Sequence, residues 1–215
     1  MEFSSLEELF KSRHSVRRWT DEPVSVDMVM QAIEAAAYSP NSGGTQPYRC
    51  YVITTPSVIA DIGKAVQEVT DYLVSLGMDD MDSHTIERWQ KSSSFFAKAP
   101  LLVAVSATKY QSIADKIQAA HPDEPRVKEI NRGRNIAASR IQSVGAFVDH
   151  LLLGLHTMGL GAVWMSGPAQ AKSRIEEILS MSKEEDFVAL IPVGYAKGEV
   201  PAAKRKPLSE WVFER

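Results

Sequence analysis

Apolar positions along this chain recur at helical spacing in some stretches and crowd into short β-branched runs in others. In "SVDMVMQAIEAAAYSP" Val26, Val29, Met30 and Ile33 form a helical stripe that Pro40 ends. "SVIADIGKAVQEVTDYLVSLG" repeats the pattern at Ile62, Val66, Val69 and Leu73, with Ser57 as the expected cap and Gly77 as the stop. Ser5 and Glu8 have capping-box spacing ahead of a short helix reaching about Arg13. The longest helix is expected in "AASRIQSVGAFVDHLLLGLHTMGLG", from about Ile136 to Met158, which is apolar over much of its circumference and calls for burial on more than one side. A subunit interface is one way to supply that burial.

Four short runs read as strands instead: "CYVIT", "PLLVAVSA", "AVWMS" and "FVALIPVGY", with the helix "AQAKSRIEEILS" between the last two. Residues 78–95 and 109–135 are more polar and read as helical excursions over a core. Such a mixture is α/β or α+β, and strand order stays open. No G-x-G-x-x-G follows a strand and there is no P-loop, so the common nucleotide folds lose weight.

Composition narrows this modestly. With 215 residues, 44% of them hydrophobic, one core and a single domain are expected. A formal charge of −3 offers no broad field for nucleic acid or acidic lipid, so any anion site is local. No run reaches membrane-span length, the start lacks a signal-peptide core, and the single cysteine, Cys50, fits a reducing compartment; a cytoplasmic protein is expected. His156 and His150 have no Cys or His at ligand spacing and read as packed or interface histidines, so no metal site is expected. Cys50 reads as buried and inert. Trp89, Phe95 and Phe96 suit either packing or a substrate lid.

The charges are informative by position. "RHSVRRW" holds Arg13, His14, Arg17 and Arg18, and "KRKP" holds Lys204, Arg205 and Lys206 near the other end. Each suits a solvated surface; joined in space, they make a cationic pocket for a phosphate. Between them lies "SPNSGGTQPYRCYVIT", a loop with two adjacent glycines set against a strand that begins near Arg49. Taken alone, Pro40, Gly43, Gly44 and Pro47 serve turn chemistry.

These stretches, with "GLGAVWMSGP" and "GYAKGEVPAAKRKPLSEWV", resemble the nitroreductase family in order and over about residues 10–211, most weakly across 78–135. The resemblance implies an α+β fold, a central mixed sheet flanked by helices, and an intertwined homodimer with FMN at its interface. Arg13, His14 and Ser15 then match the phosphate-binding motif, and Arg17 the pyrimidine edge of the flavin. Pro40, Asn41, Ser42 and Gln46 match the loop that reaches the flavin of the other subunit, where Gly43 and Gly44 permit close approach. Ser166 and Gly167 match the position beside flavin N5, where a backbone N–H suffices. Lys204 and Arg205 match the phosphate-binding tail.

The implied activity is ping-pong transfer of hydride from NADH or NADPH through flavin N5 to an electron-poor small molecule, a nitroaromatic or quinone, with no catalytic side chain required. Alternatives within the fold are a reductive dehalogenase, since Glu68 and Tyr72 share a helix face with Lys91 further on, or a flavin-fragmenting enzyme. Outside catalysis, the alternative is a flavin-binding sensor or storage protein.

Overall fold

The structure is a computed structural model that describes residues 2–77, 81–109, 111–202 and 204–215. Its centre is a four-stranded sheet in the order β1–β2–β4–β3, formed by Tyr48–Ile53 (β1), Leu101–Thr108 (β2), Gly161–Ala162 (β3) and Glu185–Gly194 (β4). Every pairing is antiparallel. The α+β class therefore holds, while the expectation of a mixed sheet is corrected: consecutive neighbours here run in opposite directions.

Both faces of the sheet are buried. Leu101, Val103, Val105 and Ala107 of β2 point to one apolar cluster, and Leu102 and Ala104 to the other. On the first side lie α2 (Val26–Ala36) and α7 (Ser139–Thr157); on the second lie α3 (Pro56–Ser75) and α8 (Lys172–Ile178). β4 changes its facing partway along. Phe187 points to the second cluster, but Ala189, Ile191 and Val193 point to the first, because the register slips between Val105 and Ser106 of β2 and leaves Val188 as the extra residue of a bulge.

Glycine permits the closest contacts. Gly154 of α7 meets Ala32 of α2, and a methyl group on Gly161 would come within 2.6 Å of the Val16 side chain.

Several local expectations are corrected. α1 spans Phe3–Ser12 and is capped by Glu2, whose carbonyl accepts from Ser5 and Leu6 N–H, so Ser5 lies inside the helix and not at its cap. α3 starts with Pro56 at its first turn behind Thr55, not at Ser57. It is also the longest helix, at 20 residues. The stretch expected as one helix from Ile136 is broken at Ala138, which takes a left-handed conformation between α6 (Pro125–Ala137) and α7. α7 buries seven residues within its own chain, Leu152 among them, so the subunit itself covers most of its apolar surface. "AVWMS" contributes only Ala162 to the two-residue β3 and one isolated bridge, Met165 to Leu190.

The polar excursions hold α4 (Ser83–Ser92), α5 (Ile113–Ala120) and α6; residues 78–80 and 110 of that range lie outside the described residues. Among the described residues no helix is long and apolar enough to cross a membrane.

Candidate functional site

The "RHSVRRW" segment leaves α1 and runs extended beside the ends of β3 and β4. Val16 N–H donates to Ala162 O (3.1 Å), Thr20 N–H to Tyr195 O (2.9 Å) and Lys197 N–H to Arg18 O (3.0 Å). Trp19 Nε1 donates to Gly161 O (2.9 Å), and its ring stacks on Phe95. Val16 and Trp19 are buried, whereas Arg17 and Arg18 are exposed and Arg13, His14 and Ser15 half-buried. The apolar members thus anchor a strip whose cations face outward.

Arg13 and His14 line a cavity of about 330 Å³ between this strip, the end of α7 and the residues after β4. His156, read from the sequence as a packed or interface histidine, lines it too, with Nε2 2.9 Å from Ser12 Oγ. Burial and then the charges of Arg13 and His14 push its pKa below the ordinary histidine value. Among the described residues, Arg13, Arg17 and Arg18 enter no ion pair with a carboxylate; Arg17 Nη1 donates only to Ser15 O (3.4 Å). Of these three arginines only Arg13 lines the cavity, and its uncompensated guanidinium, in a chain of net charge −3, has the donor chemistry for a phosphate.

The glycine loop sits elsewhere. Pro40, Asn41 and Ser42 line a separate cleft with Ser139, Gln142 and Ser143 of α7, and the two cavities share no lining residue. The loop is firmly tied: Ser42 N–H donates to Ser143 Oγ (3.1 Å) and Gln46 N–H to Asn41 Oδ1 (2.8 Å). Tyr48, opening β1, donates to Ala37 O (3.2 Å) and stacks on Phe147 of α7 with ring centroids 4.2 Å apart. Gly43 and Gly44 both have φ of 65°. Nothing lies within 4 Å of a Cβ on Gly44, so within one chain its freedom serves the left-handed backbone and not a close approach. Gln46 is exposed and shares the left-handed region at φ 46°, a conformation uncommon for such a residue.

Ser166 and Gly167 are exposed at the start of a short 3-10 turn beyond β3, and a Cβ on Gly167 would stand in open space. The tail approaches the basic cavity through Val200, but neither Lys204 nor Arg205 lines it. Lys204 is exposed, Arg205 donates to the Lys204 carbonyl (3.2 Å), and Lys206 pairs with Glu210 (3.6 Å). Within one chain, the structure therefore gathers Arg13 and His14 while keeping the loop and the basic tail apart from them.

Among the remaining candidates, the aromatic pair and the cysteine are packed. Phe96 is fully buried, Phe95 lies against Trp19, and burial raises the Cys50 thiol to about 12. Trp89 is partly exposed beside Leu73 and Ile86. Glu68 pairs with Lys64 (3.8 Å) and Lys91 with Glu87 (3.4 Å), each within its own helix. Among the described residues no three His, Cys, Asp or Glu side chains are grouped to hold a metal. The sequence signal for His156 was weak because its partners, Ser12 and Arg13, lie far away in the chain.

The family model described as the Nitroreductase family matches residues 10–195. Iodotyrosine deiodinase of Nematostella vectensis is 28% identical over 204 residues, covering 93% of this chain and 71% of that protein. A BluB-like flavoprotein from Clostridium difficile 630 superposes with a TM-score of 0.85 at 24% identity, covering 100% of this chain and 99% of its own. A nitroreductase with bound FMN from Desulfitobacterium hafniense DCB-2 gives a TM-score of 0.72 at 14% identity, with both chains fully covered. At these identities the two structures establish the fold.

Proposed function

This chain belongs to the nitroreductase family, and from that premise we propose that it is an FMN-dependent oxidoreductase passing electrons from NADH or NADPH to a small electron-poor acceptor, a nitroaromatic or a quinone. The observation that carries this reading is the basic cavity at Arg13 and His14, whose guanidinium has no carboxylate partner among the described residues and whose size and charge suit a phosphate. When bound, FMN supplies the two-electron chemistry between the two substrates.

The chain's own residues bind and orient. Arg13, His14 and Ser15 would hold the phosphate, with Lys204 and Arg205 of the tail, which lie outside this cavity within one chain, as further cations for it. Arg17, exposed on the same strip, would supply a fixed cation for the pyrimidine edge of the flavin. The exposed Gly167 N–H, beside Ser166, would be the donor for the reacting edge of the ring. No side chain is needed as nucleophile or obligatory acid.

The two half-sites motivate a homodimer. The basic cavity uses Leu152 and His156 near the C-terminal end of α7, and the loop cleft uses Ser139 and Ser143 near its N-terminal end, about 20 Å away along the helix. Antiparallel pairing of α7 with its copy about a two-fold axis would set the cavity of one subunit against the Pro40, Asn41, Ser42 and Gln46 loop of the other. Two equivalent sites result, each assembled from both chains.

Purified protein should show the absorption of bound flavin, bleach anaerobically on adding NADH or NADPH, and recover with menadione. Colourless protein that fails to take up added FMN would end this reading, and a flavin that binds but never bleaches would leave a sensor or storage role.

A second reading, reductive dehalogenation, is favoured by the deiodinase relative together with Tyr72, exposed one helical turn beyond Glu68 on α3, which packs against the α4 helix carrying Lys91. In that reaction two electrons and a proton replace the carbon–iodine bond with carbon–hydrogen and release iodide. Iodide release from 3-iodo-L-tyrosine under dithionite would support it; reduced protein that leaves the substrate intact would dismiss it.

A further inference from the structure

We propose that His156 is a proton-coupled third member of the anion site, taking up a proton when the phosphate of a ligand settles against Arg13 and His14. This rests on reading the cavity as a phosphate site.

His156 sits in the last turn of α7 and lines the same cavity as Arg13 and His14. Its Nε2 lies 2.9 Å from the hydroxyl of Ser12, the last residue of α1, so the imidazole also ties the helix that presents Arg13 to α7. The segment after α1 contributes Arg13 and His14 to its surroundings, and α1 contributes Ser12, with Lys11 turned to Glu7 at 2.7 Å. The walls from α7, β3 and the residues after β4 carry no other charge. Without a ligand, His156 therefore faces basic side chains, and its desolvation goes uncompensated by any carboxylate in the lining.

A dianionic phosphate reverses that balance. Its charge favours imidazolium, and the C-terminal end of the α7 dipole favours it too. The proton comes from solvent, so phosphate affinity must rise as pH falls through the interval between the free and bound pKa of His156. A bound pKa one unit above the free one makes that change about tenfold. Gln in place of His156 keeps a donor for Ser12 but cannot take up a proton.

The test is imidazole NMR of the full-length protein with labelled histidines, assigned with His156→Gln and His14→Gln. Samples are titrated ligand-free, with FMN, and with riboflavin, which lacks the phosphate. FMN should raise the His156 pKa by about one unit or more, and riboflavin should leave it where it was. In parallel, across the interval between the free and bound His156 pKa values read from the same titrations, FMN affinity of the native protein should fall with rising pH about tenfold more than that of His156→Gln; the phosphate's own second ionisation near about 6 is common to both. FMN that binds without moving the His156 resonance overturns the proposal while sparing the flavin reading. Failure of FMN to bind at all ends both.

Discussion

Two groups of charge in this molecule are built on opposite plans. Where β1, β2 and β4 meet, the buried Glu185 carboxylate accepts from Tyr51 Oη (2.6 Å), Ser106 Oγ and Ser182 N–H (2.8 Å), with Arg49 at 3.6 Å. Its neighbour Asp186 is held by Arg140 (2.6 Å) and Lys172 (3.0 Å). Burial alone would raise the pKa of Glu185, but the hydrogen bonds from Ser106, Tyr51 and Ser182 outweigh it and hold the carboxyl below its usual range. Around Arg13, His14 and His156 the structure supplies cations and no counter-charge. A group fully answered from within stabilises the fold, whereas one left open stores binding free energy for a ligand.

The largest expected effect breaks the first group. Glu185→Ala leaves the Tyr51, Ser106 and Ser182 donors without their acceptor and should destabilise the protein by at least about 3 kcal/mol in urea unfolding. A loss under about 1 kcal/mol would mean that water or relaxation satisfies those donors. The sign with pH follows from the lowered pKa. Glu185 contributes fully above the unfolded glutamate value of about 4.3, and its contribution drains away as pH falls through the lower folded value. Glu185→Gln should flatten that part of the acid limb.

The second effect sharpens the contrast. Arg13→Ala should weaken FMN binding by roughly 1.5 to 3 kcal/mol, about ten- to a hundred-fold, as read by flavin titration. The melting temperature of the flavin-free protein should stay level, because Arg13 has no carboxylate partner to lose among the described residues. A ligand-free protein destabilised as much as by Glu185→Ala would return Arg13 to a structural role.

The smallest effect concerns the loop. Ser143→Ala removes the acceptor for Ser42 N–H and should cost about 1 kcal/mol, with faster amide exchange confined to residues 41–46. Unchanged exchange there would show that Asn41 and Tyr48 hold the loop without α7.

Much of this contrast is legible in the chain and part of it is not. The basic strip, the glycine loop and the strand after it stand out because each is contiguous, and local rules act over a few residues. The corner around Glu185 was invisible, since its acceptor and donors come from three strands and a turn. The contact of His156 with Ser12 was invisible for the same reason. The caps expected at Ser5 and Ser57 were displaced because suitable spacing recurs inside helices: the actual first turns use Glu2 O and the fixed φ of Pro56.

What the sequence determined by itself is the succession of helices and strands, the apolar runs that must be buried, and the motif order that marks the family. These follow from side-chain periodicity and from backbone preferences of Gly and Pro, which operate without long-range contacts. Only the tertiary structure decided that the strands pair antiparallel, that the Val188 bulge turns β4 from one core to the other, and that the basic cavity and the glycine loop lie at opposite ends of α7. Those are choices among pairings of similar local propensity, and they are made by which faces can be buried together.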